Sequence, residues 1–285
     1  MTAGILLLGT SGCNAQVMLF DPGGPVSRLE SHLMIWTFVL TAVIVIPVIG
    51  LLWYIVRRFR DVPGNDAPYK PDWSESTSLE VVWWAIPIVI VGILSVVTAK
   101  DTFALTRPPE KLSTKPVTIQ VTSLNWKWLF QYPGQKVATV NYCYIPTNQA
   151  VQFVLTSDAP MNSFWVPRLG GQEYTMPGMA MRLWLQADKP DVYFGSGANF
   201  TGHGFAHMRF HVVAVPRAQF DNWVKQVKSS SPPLTELGLT ELRKPGLTGQ
   251  LTYSSYPPNS FTKMIMKDGG MYMAHDRGIL DTTTF

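Results

Sequence analysis

Charge is scarce in this chain of 285 residues: Asp, Glu, Lys and Arg together make up only 15%, where a soluble domain carries about a quarter. Cysteine is scarcer. There are two, Cys13 and Cys143, with none in residues 144–285, which excludes a disulfide framework. Dense Lys/Arg stretches with interleaved aromatics are missing and the net charge is a mild +4, which argues against a nucleic-acid partner. No internal repeat is visible. What the chain does have is apolar: 46% hydrophobic residues and ten tryptophans, a composition that fits membrane segments anchored by aromatics at the lipid interface.

The chain starts with an apolar run too short to span a bilayer, which reads as the core of a signal segment over residues 1–13. It ends in Ser11-Gly12-Cys13, which resembles a bacterial lipobox. Lipidation of Cys13 is the expectation, giving a lipoprotein with a palmitate-type anchor. A single acyl chain holds a protein only marginally, so the main anchoring falls to two longer apolar runs downstream. Residues 14–33 form an outer segment. Residues 34–56 carry no charge and, at about 1.5 Å per residue, are long enough to cross a membrane. Residues 79–99 form a second span, with Glu80 at its entrance, Trp83 and Trp84 one turn in, and Lys100 and Asp101 closing it. The loop 57–78 holds Arg57, Arg58, Arg60 and Lys70, whereas the segment before the first span holds only Arg28. By the positive-inside rule that loop is cytoplasmic and both chain ends face outward. A linker, 100–115, then leads to the outer domain.

From 116 to 216 the period changes. Segments such as Val117-Thr118-Ile119-Gln120-Val121-Thr122 and Val151-Gln152-Phe153-Val154-Leu155-Thr156 alternate apolar and polar residues, punctuated by Tyr132-Pro133-Gly134 and Asp158-Ala159-Pro160. Short strands at this spacing predict an antiparallel β-sandwich or barrel. Residues 217–285 read as a short helical and irregular C-terminal arm, expected to pack on the sandwich and on the outer face of a complex.

Three segments carry a family resemblance. Asn125-Trp126-Lys127-Trp128-Leu129-Phe130-Gln131-Tyr132-Pro133 is similar to the aromatic stretch that opens the cupredoxin domain of subunit II in haem–copper oxidases. Met161-Asn162-Ser163-Phe164-Trp165-Val166-Pro167 resembles the strand bearing that family's first copper histidine, and 197–208 occupies the place of its copper loop. The resemblance implies a membrane-anchored all-β architecture: two transmembrane helices, then a cupredoxin-like Greek-key sandwich and the arm. The family's binuclear copper site needs two thiolates, two imidazoles, a thioether and a carbonyl, soft ligands suited to copper. Aligned on Gly202 and Met208, the loop pattern puts the two cysteines on Gly197 and Thr201 and its histidine on Phe205. The strand histidine falls on Asn162. Of the side-chain ligands only Met208 remains.

The resemblance is therefore to the quinol branch, a bo-type ubiquinol oxidase whose subunit II lacks this copper. It implies no cofactor and no catalytic residue in this chain, haems and copper in subunit I, and subunits I, III and IV as partners. It also implies ubiquinol as substrate of the complex, membrane lipid around the spans and a bacterial cytoplasmic-membrane location with the large domain outside. Charge argues against cytochrome c: residues 116–216 hold six Lys/Arg against four Asp/Glu, and a dock for a basic cytochrome should be acidic. Trp126 stands where electrons enter the copper in cytochrome c oxidases. Here it reads as a packed or subunit-contact residue, and Glu80 as a contact with subunit I or the head-group zone. His203, His207 and His211 offer the one counter-argument, since a strand over 207–215 would point His207 and His211 to one face, with Arg209 between them. Cys143 reads as a small buried hydrophobe. A second reading, a lipid-anchored cupredoxin-like copper carrier for oxidase assembly, would need Cys, His and Met ligands in one place.

Overall fold

The protein is described by a computed structural model covering residues 18–68, 70–105 and 116–270. The signal segment with Cys13, the linker residues 106–115 and the end of the arm beyond 270 lie outside the described residues. The chain divides into two compact units, one of residues 31–107 and one of residues 1–30 with 108–285.

The first unit is two long helices. The spans expected at 34–56 and 79–99 lie inside α1 (Pro25–Arg58) and α2 (Thr77–Leu105), both long and apolar enough to cross a membrane. Each is longer than its apolar run: α1 starts at Pro25, where Val26 and Ser27 are buried, and α2 continues past Lys100 and Asp101 to Leu105. Pro47 and Pro87 sit inside them, as spanning helices tolerate. Along both spans the apolar side chains face outward, the reverse of a soluble core helix. Trp53 stacks under Arg57 at 4.6 Å. Arg58 donates to Asp66 at 3.1 Å and Asn65 binds the Arg60 carbonyl at 2.6 Å, so the basic turn after α1 folds on itself.

The second unit is a two-sheet sandwich. Its strands are β1 (Val117–Leu124), β2 (Lys127–Tyr132), β3 (Val137–Val140), β4 (Tyr142–Pro146), β5 (Val151–Ser157), β6 (Asn162–Trp165), β7 (Glu173–Thr175), β8 (Met181–Leu185), β9 (Asp191–Gly197), β10 (Arg209–Val215) and β11 (Leu251–Tyr253). One sheet runs β11-β3-β2-β1-β5-β8 and the other β4-β10-β9-β6-β7. The expected all-antiparallel pairing needs correcting: β1 with β5 and β4 with β10 are parallel. One edge of β1 is taken by its hairpin partner β2, and the chain reaches the other edge only after passing through β4 in the opposite sheet. β10 likewise reaches β4 only after the chain has visited both sheets. Such crossovers make parallel neighbours. The core between the sheets holds Ile119, Trp128, Phe130, Phe153, Phe164, Phe210 and Val212, all fully buried.

The strand β10 starts at Arg209, not at 207. His207 belongs to a single 3-10 turn, Phe205–His207, so it does not share a strand face with His211.

The C-terminal residues are more integral than an arm. α3 (Arg217–Ser230) buries Phe220, Val224 and Val227, one helical face, in the sandwich core. α4 (Glu236–Arg243) starts at Thr235, whose hydroxyl accepts from Gly238 N at 3.1 Å, the usual N-cap arrangement. β11 then extends the larger sheet on β3, and α5 (Ser260–Lys267) buries Phe261, Met264 and Ile265. Two contacts pin this region down. Lys127, almost fully buried, donates to the carbonyls of Leu242 at 3.0 Å and Lys244 at 2.7 Å, capping the C-terminal end of α4. Burial pushes its ammonium pKa down. Asp158, its side chain 1% exposed, pairs with Arg243 through both carboxylate oxygens and with Lys267 at 3.0 Å.

The stretch before α1 and the first turns of α1 are sewn to the sandwich as well. Gly23 N donates to the Arg168 carbonyl at 2.6 Å and Gly23 O accepts from Asp188 N at 2.9 Å. Ser27 Oγ donates to the Arg168 carbonyl at 2.8 Å, and Glu30 Oε1 accepts from Gly171 N at 2.9 Å. Arg168 binds Asp21 at 2.9 Å and Asp191 at 2.6 Å, and the hydrogen bond to Asp191 holds that carboxyl below its ordinary range. A Cβ at Gly24 would sit 2.0 Å from the Gln186 carbonyl, and one at Gly23 would sit 2.3 Å from the Tyr193 ring. The two glycines are what let this strap lie flat on the domain.

Candidate functional site: the copper-loop position

The four positions aligned with copper ligands, and Met208, are carried by the ends of β6 and β9 and by the loop between β9 and β10. Phe164 pairs with Gly197 across the β6–β9 ladder, which brings Asn162, two residues earlier, level with the start of the loop. Met208 closes the loop: its carbonyl accepts from Gly197 N at 2.9 Å. The structure therefore gathers Asn162, Gly197 and Met208 into one place, as the motif spacing implies.

What fills that place is an amide. Asn162 Nδ2 lies 2.8 Å from Met208 Sδ, and its Oδ1 accepts from Ser163 N at 2.7 Å. Both residues are 1% exposed. A Cβ added at Gly197 would lie 2.8 Å from Asn162 Oδ1 and 3.0 Å from Nδ2. A side chain at 197 and the Asn162 amide thus compete for the same volume. Behind them sits an aromatic floor. Phe164 and Phe210 stack at 4.8 Å, and Trp128 meets both edge-on at 5.5 and 5.4 Å. Trp128 also donates weakly to the Met208 carbonyl at 3.4 Å. These contacts fix Met208 from the protein side whether or not a metal is involved.

Thr201 and Phe205 lie farther along the loop, half-buried. Thr201 Oγ1 is buried without a hydrogen-bond partner, while its carbonyl accepts from Trp126 Nε1 at 2.9 Å. Trp126 occupies the two-residue turn between β1 and β2 with φ of 66°, a left-handed conformation unusual for a bulky residue. Its ring lies where a Cβ at Gly204 would stand, 2.3 Å away. Trp126 is thus a brace across the loop's base. Phe205 meets the 81%-exposed Phe200 edge-on at 5.8 Å, leaving an aromatic ledge outside.

The copper centre implied by the fold does not fit these residues. An amide at Asn162 and a phenyl ring at Phe205 stand where the imidazoles would be, Gly197 and Thr201 stand where the thiolates would be, and only the thioether of Met208 is kept. The missing side chain of Gly197 leaves room for the amide. The set carries no charge to balance two copper ions and no group that titrates near neutral pH. The histidines do not repair this: His211 Nδ1 faces Gln250 Nε2 at 3.3 Å, and among the described residues no three His, Cys, Asp or Glu side chains gather as a metal site would require. Cys143 lies fully buried in the core, where burial raises its thiol pKa far above the usual range, which makes it inert. Glu80 is exposed in the first turn of α2.

Sequence reasoning read Trp126 as packed or in contact with a subunit but did not place it on Gly204, and it missed Trp128 beneath Met208. Their signal was the aromatic run at 126–130, which marks packing without saying on what. One consequence can be measured. Gly197→Ala is expected to destabilise the domain by about 1–3 kcal/mol, the range for overpacking a filled site. In thermal unfolding, adding Asn162→Ala should recover part of that loss, because the two side chains contend for one space. Additive losses would mean that they do not.

Comparison with known proteins places these features. A family profile described as "Cytochrome C oxidase subunit II, periplasmic domain" matches residues 134–215. The chain is 46% identical over 252 residues to a protein of Bacillus cereus named "Quinol oxidase subunit 2", covering 88% of this chain and 87% of that one. It is 42% identical over 265 residues to the "Cytochrome bo(3) ubiquinol oxidase subunit 2" of Pseudomonas aeruginosa, covering 92% and 78%. It is 37% identical over 272 residues to the "Ubiquinol oxidase subunit 2" of Acetobacter aceti, covering 94% and 88%.

Proposed function

Because this chain belongs to the quinol oxidase subunit 2 family, we propose that it is subunit II of a terminal ubiquinol:oxygen oxidoreductase, present without a copper centre of its own. The observation that carries the second half is the Asn162–Met208 contact beside Gly197, which fills with a neutral amide the volume a copper ligand set would need. In this reading the chain does no chemistry. Electrons leave the lipid-soluble quinol within the membrane and reach haems and copper in subunit I, part of a proton-pumping aerobic respiratory complex with subunits III and IV. Subunit II covers the outer side of that complex and stabilises it. Two membrane-capable helices with a periplasmic-type domain fit a membrane protein, and the basic turn after α1 orients that domain to the outside. Lipidation of Cys13 adds a second anchor. Trp126 and Glu80 are then contact residues and not redox or proton-transfer groups. The charge of the domain over 116–216, six Lys/Arg against four Asp/Glu, is slightly basic, the wrong sign for cytochrome c as donor.

The test is electron-donor specificity of the purified complex. It should oxidise a short-tailed ubiquinol rapidly and reduced cytochrome c at no more than background rate. The near-infrared band of a charge-delocalised copper pair should be missing. Rapid cytochrome c oxidation together with that band would overturn the proposal. Ubiquinol turnover far below menaquinol turnover would overturn the choice of quinone alone.

A further inference from the structure

The first turn of α5 opens into a cleft of about 320 Å³, and pockets that take small organic molecules begin at about 300 Å³. One wall is the outer face of the larger sheet, reached at Gln120 of β1. The opposite wall is Tyr256 and the turn Asn259–Thr262. Lys136, from the hairpin between β2 and β3, stands exposed at the rim.

The helix end is open. Ser260 N donates to the Pro257 carbonyl at 3.3 Å and Lys263 N to the Asn259 carbonyl at 2.8 Å. The two amides between them, Phe261 N and Thr262 N, have no acceptor among the described residues. The residue that should cap them does not: Asn259 has φ of 57° and its side chain makes no cap bond. α4 shows the contrast, with Thr235 Oγ1 accepting from Gly238 N. Unpaired first-turn amides and the positive end of the helix dipole together favour an anion.

A separate observation, on the sheet, also points to a ligand. Gln120 is only 7% exposed, and its side-chain amide lines the cleft without a hydrogen-bond partner among the described residues. Buried amides are normally bonded. Gln120 stands opposite Gln131 on the β1–β2 ladder, and Gln131 Nε2 donates to Ser260 Oγ at 2.7 Å. The Gln120 amide therefore lies beside the open end of α5. Charge agrees. No Asp or Glu lines the cleft, and Lys136 has no ion-pair partner among the described residues. The neighbouring cleft between α4 and α5 is different: its Arg243, Lys263 and Lys267 are already paired with Asp158 or Glu236. Burial pushes the Tyr256 phenol up to about 12, so it keeps its proton and adds a neutral donor. Donors thus come from sheet, helix and hairpin, an arrangement that suits a tetrahedral oxyanion better than a planar carboxylate.

We propose that this cleft binds the phosphate group of a small organic phosphate, held by Phe261 N, Thr262 N and the Gln120 amide, with Lys136 as counter-charge. The volume left over takes a short polyol such as glycerol. The site is independent of the quinol-oxidase reading. Its ligand is either a free glycerol phosphate or the glycerophosphate headgroup of a lipid, which share this chemistry.

The experiment uses the full ¹⁵N-labelled chain purified in detergent. Inorganic phosphate, glycerol 3-phosphate and acetate are titrated at constant ionic strength. The chain is then compared in lipid nanodiscs with and without phosphatidylglycerol. The amide signals of Phe261 and Thr262 and the side-chain amide of Gln120 should shift together and saturate. Saturation by glycerol 3-phosphate in detergent identifies a free phosphate, and shifts seen only with phosphatidylglycerol identify a lipid headgroup. Thr262→Asp should weaken binding about tenfold or more by repulsion, while its carboxylate suits a helix N-terminus and spares the fold. Lys136→Asn, which tolerates the left-handed φ of 56° at that position, should weaken it about threefold or more. No saturating shift with any phosphate would overturn the proposal. So would an equal response to acetate, shifts confined to other residues, or unchanged affinity in either variant. The shifts of the unsubstituted chain decide the matter even if a variant unfolds.

Discussion

Asp158→Ala is expected to destabilise the outer domain by roughly 2–4 kcal/mol. That is somewhat below the usual 3–5 for breaking a buried ion pair, because the partners left behind can reach water. Asp158 is 1% exposed at its side chain, whereas Arg243 and Lys267 are 34% and 56% exposed. The carboxylate ties three elements together. It sits directly after β5, it holds the last turn of α4 through Arg243, and it holds the last turn of α5 through Lys267. Removing it should loosen the C-terminal helices before it loosens the sheets. Limited proteolysis of the full chain should then show faster cleavage in the connections around residues 231–235 and 244–250, together with a lowered unfolding temperature. Cleavage there at the unsubstituted rate, with an unchanged unfolding temperature, would mean that the apolar contacts of Leu239, Leu242, Phe261 and Ile265 hold the region alone. Asp158→Asn should lie between, since the amide keeps the shape and loses the charge.

Gly24→Ala should cost about 2–3 kcal/mol, the upper part of the range for overpacking, because the added Cβ would meet a backbone oxygen only 2.0 Å away and backbone cannot rotate aside as a side chain can. To relieve it the strap must lift from the 186–188 turn, giving up the Gly23 bonds to Arg168 and Asp188 and uncovering Val26, now 4% exposed. The expected readout is rapid hydrogen exchange at Gly23, Ser27 and Asp188, with protection in β1, β2 and β5 preserved. Slow exchange at those three amides in the variant would show that the strap tolerates the methyl group. Gly23→Ala meets only the Tyr193 ring, which can swing, so its effect should be smaller. The comparison of the two separates a clash with backbone from one with a side chain.

Neither Asp158 nor Gly24 stands out in the sequence, whereas the spans do. A bilayer imposes a simple rule, a long run without charge, and 34–56 and 79–99 obey it closely. The helical ends cannot be read the same way, because residues 25–33 and 100–105 mix polar and apolar side chains, and the start of α1 is held by its contacts with Leu169 and Gly171. The copper-loop position is legible because ligand chemistry is strict about residue type: a thiolate or imidazole is present or it is not. No rearrangement of the fold supplies a cysteine to residues 144–285.

Strand periodicity told less than it promised. β1 and β5 alternate apolar and polar residues over much of their length, as half-buried strands do, yet nearly every residue of both is buried. Thr122 and Gln131 are polar and fully covered, because α4 and α5 return from far along the chain to cover the sheet's outer face, and Ser123 is covered on the inner face by Thr175 of the opposite sheet. A pattern of period two records only that two faces differ, not whether something later packs on the polar one.

By itself, then, the sequence determined the quantities set by residue identity and local spacing: two spans, a β domain after them, and aligned copper-ligand positions that carry no thiolate or imidazole. The tertiary structure decided what depends on which distant segments meet. It put the Asn162 amide on Met208, laid the strap of Gly23 and Gly24 across the 168–171 and 186–188 turns, and seated the C-terminal helices on Lys127 and Asp158. It also set Gln120 beside the first turn of α5. The reason is physical: local preferences act over a few residues, whereas these contacts join residues from 46 to 165 positions apart, and only the folded chain closes loops of that length.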